Sequence, residues 1–162
     1  MLLVETYLAP SFIHGVGLFA ARDIRKGEMV WVLDTRVDQL LTEAEIAVLD
    51  PIERAQVMRY AYFSNELQKY VLCADDGRFF NHSSTPNCID KEIPQCNFTA
   101  AARDIAAGEE MTCDYVLLDG RYQPEEVAES LLMRLLNACF PRLAAKTRAR
   151  RSISQSNKAD RL

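Results

Sequence analysis

The chain has 162 residues, 49% of them hydrophobic and 26% charged, with a formal net charge of −4. This is the makeup of a globular protein with one core, so collagen-like and wholly disordered chains are excluded, and no apolar run approaches the roughly 18 residues that cross a bilayer. The charge is uneven: 12 basic residues against 22 acidic before Arg142, seven against one from Arg142 to Leu162. An acidic body of −10 attracts cationic partners and repels nucleic acid, which leaves the +6 tail as the one place where nucleic acid could be drawn in.

In chain order, LLVETYLA, GVGLFAA and EMVWVL read as strands separated by Pro10, Gly15, Gly17 and Gly27. From about residue 40 to 64 the period becomes helical. Thr42 and Glu45 form a capping box for TEAEIAVLD, and Pro51 opens a second helix through IERAQVMRYAYF. Strands return in YVLCA, NFTAAA and EMTCDY. LLDGRYQ reads as a loop, and a C-terminal amphipathic helix is expected from Pro124 to Phe140. The last twenty or so residues have too little apolar content to offset the entropy of ordering them. AARDIRKGEMV at 20–30 and AARDIAAGEEM at 101–111 echo each other, which two turns of one type explain without a duplicated domain.

Cys73, Cys88, Cys96, Cys113 and Cys139 contain no CxxC pair, and the only histidines are His14 and His82. Neither a disulfide framework nor a zinc site is expected, and reduced thiols in the cytoplasm are the simplest account. The amino terminus lacks the basic and long apolar regions of a secretory leader. A cytoplasmic location is therefore expected, with a nuclear one open for a eukaryotic host.

Three segments carry chemistry. HGVGLFA, from His14 to Ala20, has two glycines that let backbone approach a ligand, although on their own a tight β-turn is the plainer explanation. RFFNHSSTPN, from Arg78 to Asn87, holds an Asn-His pair between an aromatic couple and a turn; the plain alternative is a turn cap and a locally bonded histidine. GEEMTCDY, from Gly108 to Tyr115, ends a strand on a tyrosine that either serves a pocket or packs with its tip in water.

In this order and spacing the segments resemble the SET domain of protein lysine methyltransferases, over about Thr6 to Tyr115. The resemblance implies a mainly β fold of several short sheets, the β-clip, with a small helical insert and a C-terminal pseudoknot. It implies residues 1–120 as the SET domain, 121–141 as a helical segment closing a lysine channel, and 142–162 as a basic tail. The expected reaction is methyl transfer from S-adenosylmethionine to a lysine in a basic stretch of a protein substrate. The alternative is a catalytically silent module that binds basic peptides or a partner. By motif, His14, Gly15, Val16, Gly17, Asn81 and His82 would bind the cofactor and Tyr115 would be catalytic. Tyr62, Cys113 and Tyr122 would line the channel, where Tyr60 and Phe63 either join them or belong to the core. Only Cys139 lies beyond Tyr115, so the zinc cluster that many members place there is missing, and Ser84 stands where they have a cysteine. Cys113 stands where they carry Tyr or Phe, so room for di- or trimethylation is expected.

Overall fold

The structure is a computed structural model that describes residues 1–93 and 96–122. The chain divides into two units, Met1–Tyr122 and Gln123–Leu162. The helix expected after Pro124 and the basic tail lie outside the described residues.

Three small sheets make up the first unit. One runs in the order β1 (Thr6–Pro10), β2 (Val16–Ala20), β10 (Glu110–Cys113), β7 (Asn81–His82). A second has β3 (Met29–Val32), β9 (Cys96–Ala101) and β8 (Cys88–Ile93), and a third β4 (Gln39–Leu41), β6 (Lys69–Leu72) and β5 (Tyr62–Ser64). Their shared core is built on Leu18, Ile24, Val30, Val71, Cys88, Ile105, Met111 and Cys113, all nearly or fully buried. No described helix is long and apolar enough to cross a membrane.

The expected first strand is split. Leu2 bridges Trp31, and the chain turns at buried Val4 before Thr6–Pro10 pairs with β2. Pro10 closes β1 on the edge of its sheet, where a missing N–H costs no ladder bond. The insert is not wholly helical. Helix α1 (Glu43–Ala47) has the expected Thr42–Glu45 capping box, and α2 (Pro51–Tyr60) adds a second box in which Asp50 accepts from Glu53 N–H and Glu53 from Asp50 N–H. α2 stops at Tyr60, and Tyr62 and Phe63 leave it to pair with Val71 and Tyr70 on β6.

The echoed turns face one another. Ile24 and Ile105 exchange both backbone bonds at 2.9 Å. Asp104 Oδ1 accepts from Lys26 N–H at 2.8 Å while Asp23 Oδ1 accepts from Ala107 N–H at 2.9 Å. Gly27 at φ 83° and Gly108 at φ 84° occupy the left-handed region that the turn needs. This local two-fold joins the β2–β10 sheet to the β3–β9 sheet.

β10 is also strapped under an earlier stretch of chain. It pairs in parallel with β7, Thr112 opposite Asn81 and Cys113 opposite His82. The Asn87 side chain accepts from Thr112 N–H and donates to Glu110 O, both at 2.8 Å, and Ser83 N–H donates to Cys113 O at 3.0 Å. This crossing is the expected knot. β10 ends at Cys113, and Tyr115 opens a short helix, α3 (Tyr115–Leu118), rather than ending a strand. The cause is Asp114, whose carboxylate accepts from Val116 N–H at 3.0 Å and whose carbonyl accepts from Leu118 N–H at 2.9 Å.

Candidate active site

Asn81, 7% exposed, is the hub of one half of the site. β7 is only two residues long, and its parallel register on β10 aims the Asn81 amide at the β1–β2 hairpin. The amide N–H₂ donates to His14 O at 3.1 Å, Val16 O at 3.3 Å and Glu110 Oε1 at 2.8 Å. The hairpin loop closes by Ser11 N–H to Gly15 O at 3.0 Å, with Gly15 at φ 51°. The Ser11 hydroxyl then donates to Glu110 Oε2 at 2.9 Å. Gly17 is buried against this carboxylate, and a Cβ there would collide with Glu110 Oε1. His14, Gly15, Val16, Gly17 and Asn81 are therefore brought together, mainly by backbone.

His82 stands on the other side of β7. Its Nδ1 accepts from Tyr115 N–H at 3.1 Å, so that nitrogen carries no proton and the contact of 3.7 Å to Asp114 Oδ1 is not an ion pair. The ring packs against both Tyr115 and Tyr122 at centroid distances of 5.5 and 5.7 Å, and the two tyrosines meet edge to face at 5.4 Å, so that the three rings form a triangle.

Tyr115 reaches back to the crossing. Its hydroxyl donates to Phe80 O at 2.5 Å, one residue before Asn81. Burial pushes the phenol well up from its ordinary value of 10.0, with smaller contributions from Cys113, Tyr122 and Asp90, so it stays protonated as a donor. Tyr115, Cys113, Tyr62 and Tyr60 line one cavity of about 110 Å³. The Cys113 thiol is pushed up strongly by burial and then by Asp90, and is neutral and inert as a nucleophile. Phe63 instead packs with Ile46 and Tyr70 in a separate small core. Tyr122 sits against Tyr115 and His82 without lining the cavity.

Glu110 and Asn87 lie within GEEMTCDY and RFFNHSSTPN without being singled out there, and Asp90 lies in CIDKEI, outside all three segments. The close approach of Gly17 needs a partner, which points to Glu110 within its segment. Among the described residues no group of His, Cys, Asp or Glu is placed to hold a metal ion.

Residues 15–116 match the SET domain family. Similar proteins include human histone-lysine N-methyltransferase 2D, 31% identical over 118 residues, and the Drosophila melanogaster histone-lysine N-methyltransferase trr, 30% identical over 122. Each alignment takes in 68% of this chain, but the chain spans only 2% and 5% of those much longer proteins. Among solved structures, an unliganded Polycomb Repressive Complex 2 from Chaetomium thermophilum overlays 69% of this chain and 15% of its own at a TM-score of 0.55 and 26% identity. With the family match covering more than half of its length, and with β7 and β10 crossed so that Asn81 meets the Gly15–Gly17 hairpin and Tyr115 meets Phe80 O, the chain belongs to the SET domain family.

Proposed function

We propose that this chain transfers a methyl group from S-adenosylmethionine to the ε-amino group of a lysine in a protein substrate. The observation that carries the reading is the placement of Tyr115. Its hydroxyl is held by Phe80 O next to the Asn81 hub, and its ring walls the cavity shared with Cys113 and Tyr62.

The residues present fit the cofactor by the chemistry of their acceptors. His14 O, Val16 O and the Glu110 carboxylate converge within reach of Asn81, an acceptor set suited to the α-ammonium of a methionine moiety. When bound, S-adenosylmethionine supplies an electrophilic methyl group on a sulfonium.

The protein's own residues supply position and medium. In-line displacement needs a neutral amine held about 3–3.5 Å from its target, and free lysine has a pKa of about 10.4. An aromatic cavity disfavours the ammonium by desolvation. The Tyr115 phenol, kept protonated by burial, and the Phe80 carbonyl beside it orient the amine and make weak C–H···O contacts with the methyl group. Cys113, smaller than a tyrosine, leaves space for an amine that already carries methyl groups. The acidic body suits a basic segment around the target lysine.

Calorimetric titration with S-adenosylmethionine and radiolabelled methyl transfer to an array of lysine peptides test the reading. Saturable cofactor binding and transfer abolished by Tyr115→Phe are expected. Cofactor binding without transfer to any peptide or protein lysate points to a silent binding module. Absence of both overturns the proposal.

A further inference from the structure

Arg59 and Arg78, at the mouth of the cavity beside Tyr115, differ from the other six described arginines in what they meet. Arg22, Arg25, Arg36, Arg103 and Arg121 each pair with a carboxylate, and Arg54 donates to the carbonyls of Ile46 and Ala47. Arg59 and Arg78 meet rings instead. Arg59, in the last turn of α2, lies over Tyr60 at 5.9 Å from the ring centroid. Arg78, in a 3₁₀ turn at Asp76–Phe79, lies over the same ring at 5.8 Å and over Phe79 at 5.6 Å. Tyr60 and Phe79 pack edge to face at 5.8 Å, so the end of the insert is joined here to the stretch just before Asn81.

Both arginines and Tyr60 line the cavity, and the arginines are its exposed charged residues, whereas the cavity's two carboxylates, Asp90 and Asp119, are half-buried. Those carboxylates are engaged elsewhere. The Thr99 hydroxyl donates to Asp90 Oδ1 at 2.5 Å, and Arg121 N–H donates to Asp119 Oδ1 at 2.9 Å. Among the described residues no ion pair includes Arg59 or Arg78. A guanidinium stacked on a ring keeps its N–H edge free, and that planar fork matches a carboxylate through two parallel hydrogen bonds. Two cations gathered on one ring also repel each other, and an anion that binds both relieves the repulsion, which a neutral amide or carbonyl does not.

We propose that Arg59 and Arg78 form a subsite for an acidic residue, Asp or Glu, that flanks the target lysine in the substrate. The inference rests on the methyltransferase reading above and narrows its substrate class: the wider segment is basic, as the acidic body favours, and the residue that crosses the cavity mouth carries the opposite sign. The aromatic support holds the two guanidiniums at the rim before substrate arrives, so less side-chain freedom is lost on binding. The subsite therefore acts on peptide affinity and on which lysines are chosen.

The test uses the full chain and the best lysine peptide from the transfer array, remade with Glu or Gln at each of the two positions on either side of the lysine, which an extended peptide places within about 7 Å of it. At one or more of these positions the wild-type protein is expected to favour Glu over Gln about fivefold in kcat/KM, chiefly through KM, with the ratio shrinking as salt is raised. Arg59→Gln and Arg78→Gln should each reduce the ratio to about twofold, and the two together should bring it to one. Arg59→Lys with Arg78→Lys keeps the charges and should retain part of it, while Arg59→Glu with Arg78→Glu should favour Lys over Glu at the same position. A wild-type protein that treats Glu and Gln alike at every flanking position, or single variants that keep the full ratio, overturns the proposal and leaves the methyltransferase reading intact. A wild-type chain that neither binds the cofactor nor transfers methyl to any peptide overturns both. The wild-type comparison and the single substitutions at exposed positions decide the matter even if a double variant does not fold.

Discussion

The two halves of the echo, 20–30 and 101–111, have the same turn and different consequences. In each, an Arg-Asp pair precedes an isoleucine bridge, a left-handed glycine and a glutamate bonded back to the arginine, Arg22 with Glu28 and Arg103 with Glu109. They diverge at the very next residue. Met29 follows the first glutamate and is 48% exposed, whereas Glu110 follows the second and takes hydrogen bonds from Ser11 and Asn81. Beyond it β10 runs into the knot and delivers Cys113 and Tyr115, while the equivalent stretch after Met29 delivers Trp31 to a sheet. One turn leads to a single wall residue of the cavity, Trp31; the other leads into the knot and to Cys113 and Tyr115. Symmetry supplies the rigidity, and single substitutions on one side supply the function.

The largest effect that tests this division is at the site. Tyr115→Phe removes the hydroxyl that meets Phe80 O, and methyl transfer is expected to fall by about 10²–10³, the usual loss for a donor aimed at a reacting centre. Thermal unfolding should be nearly unchanged. The carboxylate of Asp34, at the matching distance past Glu28, accepts only from Arg36, so Asp34→Asn should leave the rate unaltered. A comparable loss of rate from Asp34→Asn would break the distinction.

Next in size is Gly17→Ala. The added methyl collides with Glu110 Oε1 and displaces the carboxylate that anchors Asn81 and Ser11. Cofactor affinity is expected to fall about tenfold by calorimetry, a cost near 1.4 kcal/mol. In the two turns, Gly27→Ala and Gly108→Ala force a Cβ into left-handed backbone without crowding either site. Each should lose about 1–2 kcal/mol in denaturant unfolding, and by similar amounts. Cofactor affinity should follow neither.

What the sequence discloses tracks how local each feature is. The Thr42–Glu45 box, the helix start at Pro51 and the three motif segments are written in neighbouring residues and stand at the expected positions. β8 is hidden because its sequence alternates buried Cys88 with exposed Ile89 and charged Asp90, a pattern that makes sense only once β9 is alongside. The end of β10 at Cys113 depends on a cap from Asp114 that competes with strand continuation. The site divides in the same way. The Gly15–Gly17 hairpin, Asn81, Glu110 and Tyr115 stand in motif segments, but the contacts of the Glu110 and Asp90 carboxylates come from partners 29 or more and nine positions away in sequence, across strands that a one-dimensional reading does not align.

The smallest effect separates the two turns by acid. Arg103 first, then the Asn87 amide and Ala106 N–H, hold the Glu109 carboxyl below its ordinary 4.5 against a desolvation that raises it. Arg22 first, then the Arg25 N–H, lower Glu28 likewise, but no side chain of the knot contributes. A carboxyl lowered in the folded state stabilises the fold fully above its unfolded value, and that stabilisation is lost as pH falls through the lowered one. Unfolding midpoints of the wild-type chain should therefore drop as pH falls from about 5 to 3, and Glu109→Gln should flatten that drop, by at most about 1 kcal/mol because the pair is partly exposed. Glu28→Gln should flatten it less, since Asn87 has no counterpart on that side. Equal flattening by the two would mean that the strap over β10 adds nothing to its turn, and the two copies would then be energetically interchangeable despite their different neighbours.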